Sequence, residues 1–234
     1  MDGSDSRIRI LYEDGEVLFA CKPAGMPSQP DPSRRPDLLT ALRRETPVWL
    51  IHRLDTPTGG VMVFARTPRA AAALSRTVSD HGLFIKEYLC ILPEKPRETE
   101  GMLTDWLYHD SRSNRTYAVE PPRDGTAPRK GVQDAHLSYR LLETAPDGTA
   151  LVLVRLHTGR THQIRAQFAS RGLPLLGDGK YGSRIKSPHI ALWAARLTVP
   201  HPADGRAVCV SCPPDGGMWA QFDLQAVFPT KTDF

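Results

Sequence analysis

Two short segments hold more chemistry-bearing side chains than loops of their length require. In the first, His52-Arg53-Leu54-Asp55-Thr56-Pro57-Thr58-Gly59-Gly60 closes an apolar run. Alternation with period two puts His52 and Leu54 on one face and Arg53 and Asp55 on the other. The glycines behind it let the main chain bend closely, so Asp55 is expected to project from a rigid element into a cleft. Taken alone, an Asp before a turn is also an ordinary Asx-turn or cap residue. In the second, His157-Thr158-Gly159-Arg160-Thr161-His162-Gln163-Ile164-Arg165, an alternating strand breaks into a turn and then a helix. Arg165 falls in the first helical turn, where its charge opposes the helix dipole, so an anion or a carboxylate outside the helix is its expected partner. Arg160 and the turn backbone suit a phosphate, with a surface salt bridge as the plain alternative.

Pairing Asp55 with Arg165 would hold the carboxylate ionised, the form that suits a nucleophile or an electrostatic stabiliser rather than a general acid. No second acidic residue stands in a comparable context, which argues against glycoside hydrolysis by two carboxylates. His52, Asp55, His157, His162 and Asp178 could be counted as metal ligands, but Arg53, Arg160 and Arg165 interleave with them and no HxxxH or HxH pair occurs. No metal is expected. Four cysteines are too few and too scattered for a disulfide framework, and Cys209-x-x-Cys212 lacks a second pair to complete a tetrahedral site.

The elements that must carry these segments read as strand-rich. Arg7 to Leu11 and Glu16 to Cys21 suggest a hairpin around Asp14-Gly15. A proline-heavy loop from Lys22 to Pro36 leads to a helix over Asp37 to Glu45, with Asp37 as N-cap and Leu38, Leu39 and Leu42 on one face. Val48 to Leu54 and Val61 to Ala65 are β-capable. Pro68 opens an Ala-rich helix through Ser79, ending near His81-Gly82, and Phe84 to Leu92 is a strand. His109 to Gly131 is either a long hairpin or a mobile arm, and its cations make it a candidate phosphate-contacting surface. Ala135 to Glu143 and Thr149 to Leu156 pair through Pro146-Asp147-Gly148. Thr161 caps a short helix ending at Gly172, Ile190 to Val199 is a strand or a short helix-strand piece, and Met218 to Phe228 is the last strand.

The sum is an α+β chain with a mixed, mostly antiparallel sheet and flanking helices. With 234 residues, 40% hydrophobic and 24% charged, the composition excludes collagen-like, coiled-coil and wholly disordered classes. Its formal charge of +4 supports only salt-sensitive contacts to a polyanion. No run approaches the length of a membrane helix and the first residues do not read as a leader, so a cytoplasmic protein without a membrane partner is expected.

With these residues in view, the chain resembles the RluA family of RNA pseudouridine synthases. The likeness rests on His52-Arg53-Leu54-Asp55-x-x-Thr58-x-Gly60 before an apolar strand, on Lys22-Pro23-x-Gly25-Met26-Pro27, on Lys86-x-Tyr88, on Thr158 to Arg165, on Gly177-Asp178 with Tyr181-Gly182, and on Leu192 before His201-Pro202. The resemblance implies one catalytic domain over 1–234 with a central cleft, isomerisation of a uridine in RNA to its C-glycoside, and no cofactor. It makes Asp55 the carboxylate that attacks the flipped nucleotide, Tyr88 the ring packed on the uracil, and Arg165 the partner of that carboxylate. Arg53 would fill the space the base vacates, and Leu192 would line the uracil pocket. His52 and His162 are expected to support or pack rather than to transfer protons. Gly59 stands where relatives commonly carry Ser, and the residues before His52 match the start of the catalytic domain rather than an S4-type RNA-binding domain. Recognition of rRNA or tRNA would then rest on the catalytic domain, with nothing calling for more than a monomer. An RNA-binding or RNA-folding protein with an incidental site, and a nucleosidase releasing uracil, are the competing readings.

Overall fold

The computed structural model describes residues 8–78, 80, 82–122 and 126–227. Arg7, Ser79, His81, Arg123, Asp124 and Phe228, each drawn into an expected element, lie outside the described residues. The strands are β1 Arg9–Glu13, β2 Val17–Lys22, β3 Trp49–Leu50, β4 Gly59–Ala65, β5 Ile85–Leu92, β6 Glu100–Asp110, β7 Arg115–Val119, β8 Val132–Thr144, β9 Ala150–Leu156, β10 Leu192–Pro200 and β11 Ala207–Ser211. The helices are α1 Leu38–Arg43, α2 Pro68–Thr77, α3 Gln163–Ala169 and α4 Leu224–Val227. Two compact units emerge: one from the described residues between Met1 and Phe84 with Ala194–Pro214, the other from Ile85–Trp193 with the described part of Asp215–Thr230.

In the first unit the opening hairpin closes as its sequence dictates. Asp14 Oδ1 accepts the N–H groups of Glu16 (2.8 Å) and Val17 (2.9 Å), an Asx turn that sets β1 against β2. On its other edge β2 pairs antiparallel with β4, all seven residues of which are buried. Asp37 accepts the Thr40 N–H and caps α1, whose Leu38, Leu39 and Leu42 are buried on one face. Thr67 and Pro68 open α2 together, and the helix stops at Thr77, short of its expected end. The apolar run from Val48 to Leu54 yields only the two-residue β3. The reason is local: the Leu54 N–H and C=O both go to the Ser28 hydroxyl instead of to a neighbouring strand. From Ala194 onward β10 belongs to this unit and pairs with β11, a strand too brief to announce itself in sequence.

The second unit is a continuous antiparallel ladder in the order β5-β9-β8-β6-β7. The stretch from His109 begins as a true hairpin. Asp110 accepts the Arg112 N–H and the Ser113 hydroxyl, Asn114 takes φ +48°, and β7 turns back along β6. Helix α3 packs its Ala166 with Leu107, Ala135 and Tyr181. Two sequence expectations are corrected here. Thr161 is not the cap of α3; His162 is, in the left-handed region at φ +54° and without a side-chain cap bond. Met218 to Phe228 is not a strand but a single 3-10 turn, Gly217–Trp219, followed by α4. Gly216 and Gly217 take φ +59° and +53°, and Asp223 accepts the Gln225 N–H, so this segment coils instead of extending. The expected α+β class with a mostly antiparallel sheet holds in both units. Among the described residues, no helix is long and apolar enough to cross a membrane.

Candidate active site

Residues 51–55 lack strand pairing yet keep the expected alternation: His52 and Leu54 are buried, Arg53 is exposed and Asp55 is half-buried. His52 Nε2 accepts the Val63 N–H at 3.1 Å, and its ring meets Phe84 edge-on at 5.4 Å. It is an anchor for the segment, in line with a supporting role.

Lys22 does the rest of the fastening. Fully buried at the end of β2, its ammonium donates to the carbonyls of Pro23 (3.1 Å), Met26 (2.5 Å) and Thr56 (3.1 Å). The Gly25 N–H also donates to Thr56 O at 2.9 Å, with Gly25 at φ +86°. One cation thus ties the Lys22-to-Pro27 loop to the chain one residue beyond Asp55. Burial pushes the Lys22 amine down to about 7, with the Asp55 and Cys21 charges pulling the other way. Thr58 donates its N–H to Asp55 O at 3.0 Å, and its own hydroxyl is buried with no hydrogen-bond partner. At Gly60, φ is +120° and a Cβ would fall 2.2 Å from Ala194 O. Only glycine fits there.

Tyr88 lies in the second unit, buried on β5 opposite Val154 of β9. Arg165 sits on α3 with 4% of its surface exposed, and Asp178 (1%) grips it with both oxygens: Nε to Oδ2 at 2.7 Å and Nη2 to Oδ1 at 2.8 Å. The guanidinium carbon lies 4.9 Å from the centroid of the Tyr181 ring. Tyr181 is itself held, because its hydroxyl accepts the Thr116 N–H at 2.8 Å and meets His162 Nδ1 at 3.0 Å. This explains the left-handed His162: it turns the ring toward Tyr181 while leaving the helix start to Gln163. Gln163 Oε1 accepts from the Arg160 N–H (3.0 Å) and the Thr158 hydroxyl (2.8 Å), and its amide donates to His136 O (3.0 Å).

Arg165 therefore has a carboxylate outside its helix, as the dipole argument requires, and Asp178 supplies it. Arg160 is half-buried and engaged by Asp134 through its backbone carbonyl (2.8 Å) and its side chain (3.1 Å), so a phosphate there would share it with Asp134. Leu192 is buried as the first residue of β10. The structure thus places Arg53 and Asp55 on the first unit and Tyr88, Arg160, Arg165 and Leu192 on the second. Of four supports, residue-by-residue reading passed over Lys22, Ser28 and Tyr181 and weighed Asp178 only as a metal ligand. Three of them lie in the motifs that carry the resemblance, the only signal that could have singled them out; Ser28 has none. Among the described residues, no group of three or more His, Cys, Asp or Glu side chains is placed to hold a metal ion.

The chain is similar in sequence and in fold to known proteins. The RNA pseudouridylate synthase family covers residues 16–170. The dual-specificity RNA pseudouridine synthase RluA of Escherichia coli (strain K12) is 32% identical over 217 residues, spanning 88% of this chain and 93% of its own. Ribosomal large subunit pseudouridine synthase D of Xanthomonas campestris is 34% identical over 89% of this chain and 66% of its own. The human RNA pseudouridylate synthase domain containing 1 shares the fold, with a TM-score of 0.74 at 23% identity over 92% of this chain and 86% of that one. With a family match across most of the sequence and a relative alike over nearly its whole length, the chain belongs to the RNA pseudouridylate synthases, isomerases that act on RNA.

Proposed function

We propose that this enzyme converts a particular uridine of a structured rRNA or tRNA to pseudouridine with Asp55 as its catalytic carboxylate, working as a cytoplasmic monomer. In this reading the bond from ribose C1′ to N1 of the base breaks, the freed uracil turns, C1′ bonds to C5, and the C5 proton is lost as N1 gains one. Asp55 attacks the flipped nucleotide, Tyr88 packs on the uracil, Leu192 lines its pocket, Arg53 fills the vacated stack, Arg160 contacts the substrate and Arg165 partners the carboxylate. Removing a base from its stack costs a few kcal/mol, which a stacking ring and a filling guanidinium offset. The names of the relatives, one a dual-specificity RNA enzyme and one acting on the large ribosomal subunit, support an RNA substrate, ribosomal RNA among the candidates.

The observation that carries the proposal is how Asp55 is presented. A half-buried carboxylate sits on a segment pinned by Lys22, Ser28 and His52, so it is held in place and not left on a free loop. Asp55→Asn is expected to lower pseudouridine formation by roughly 10⁴-fold or more while fold and RNA affinity persist. Mapping pseudouridines across total RNA from cells with and without the gene identifies the target, and the Asn variant should fail to restore it. Restoration by that variant would overturn the proposal in favour of an RNA-binding role.

A further inference from the structure

Four cysteines are present, and two of them converge. Cys21, half-buried on β2, and Cys212, fully buried just after β11, bring their sulfurs within 3.0 Å across 191 positions of chain. The Cys209-x-x-Cys212 spacing does not close on itself, since Cys209 is exposed while Cys212 turns inward to Cys21. The backbones on both sides are fixed. Cys21 is paired with Arg9 on β1 and Val61 on β4, and the Cys212 N–H donates to Ala195 O at 2.7 Å. Bond formation at about 2.05 Å therefore needs only about 1 Å of side-chain movement.

We propose that Cys21 and Cys212 form a reversible dithiol couple, a covalent modification site of the first unit that closes on exposure to a small-molecule disulfide such as oxidised glutathione. Access orders the steps. The half-buried Cys21 thiolate attacks one sulfur of the oxidant, forming a mixed disulfide and releasing one glutathione thiolate. Cys212, once deprotonated, attacks the Cys21 sulfur and expels the second glutathione. The protein dithiol is oxidised by two electrons, the glutathione disulfide is reduced to two thiols, and the two protein protons end on them. The adjacent Lys22 assists, because the attraction between its ammonium and a Cys21 thiolate is mutual. Cys90 takes no part: complete burial pushes its thiol far above the ordinary range.

The test uses the full chain carrying Cys209→Ser, which removes the exposed competing thiol. After oxidised glutathione, alkylation under denaturing conditions and peptide mapping, the expected product is a Cys21–Cys212 cross-link with both thiols lost to alkylation. Closing so long a loop should raise the Tm by on the order of 5–10 °C, reversed by dithiothreitol. Adding Cys212→Ser should leave Cys21 as a stable glutathione adduct with no gain in Tm. Cys21→Ser, the alternative should that variant not fold, should leave Cys212 alkylatable and abolish the gain. A persistent glutathione adduct on Cys21 with Cys212 present, or cross-links confined to other cysteines or to separate chains, would overturn the proposal.

Discussion

Lys22 in the first unit and Arg165 in the second are both cations withdrawn from water, and they are accommodated in opposite ways. Lys22 is surrounded by neutral acceptors, the three carbonyls of residues 23, 26 and 56, and its amine is pushed down to about 7. Arg165 is matched by a full negative charge from Asp178 and lies against the Tyr181 ring. Carbonyl dipoles satisfy directionality without cancelling charge, so Lys22 remains titratable; a bidentate carboxylate does both, and a guanidinium stays charged throughout. Where a loop must be gathered from several strands of chain, a pivoting ammonium with three donors suits the task. Where a side chain must hold one orientation, a planar fork with a planar partner suits it better.

The largest expected effect comes from unbalancing the charged pair. Asp178→Asn takes away the carboxylate that grips the buried Arg165 guanidinium through Nε and Nη2 and should cost about 3–5 kcal/mol in urea unfolding. A loss under about 1 kcal/mol would dissolve the contrast with Lys22. Next is the pH dependence of Lys22. Its folded value lies below the ordinary 10.5, so between about 7 and 10.5 the unfolded chain binds the extra proton and stability rises with pH. Relative to Lys22→Met, the parent should gain about 2 kcal/mol between about pH 7 and pH 9; a flat difference would mean that the amine keeps its proton. The smallest effect dissects the Arg165 site. Tyr181→Phe keeps the ring under the guanidinium but orphans the Thr116 N–H, and should cost about 1–2 kcal/mol by thermal unfolding, with α3 otherwise intact.

Local chemistry made much of this fold legible in advance. The Asp14 turn, the Asp37 cap with its leucine face and the β8–β9 hairpin all depend on neighbours in sequence, and all are present. Glu100–Asp110 escapes pattern reading because apolar residues fall on both of its faces: Leu103 and Leu107 are buried, Met102 and Tyr108 exposed. The failed cap at Thr161 has a tertiary cause, since its carbonyl accepts the Thr116 hydroxyl and His162 is recruited to Tyr181, a partner 19 residues away. The site divides the same way. That Arg165 needs an external carboxylate follows from its place on the helix, but which acid supplies it depends on a loop that only folding brings near. Lys22 looked like the start of a proline loop, and nothing in one sequence reveals that three carbonyls will converge on its amine.

The close approach at the head of β4 has a consequence for how this protein can vary. Because a main-chain oxygen stands where a side chain at position 60 would begin, no smaller residue at position 194 could make room for one. Compensation by a second substitution, the usual escape from a tightly packed position, is closed off. A library randomised across 55–60 should therefore return glycine at its final position whatever is selected at the others, and lineages can diverge around that crossing without ever passing through it.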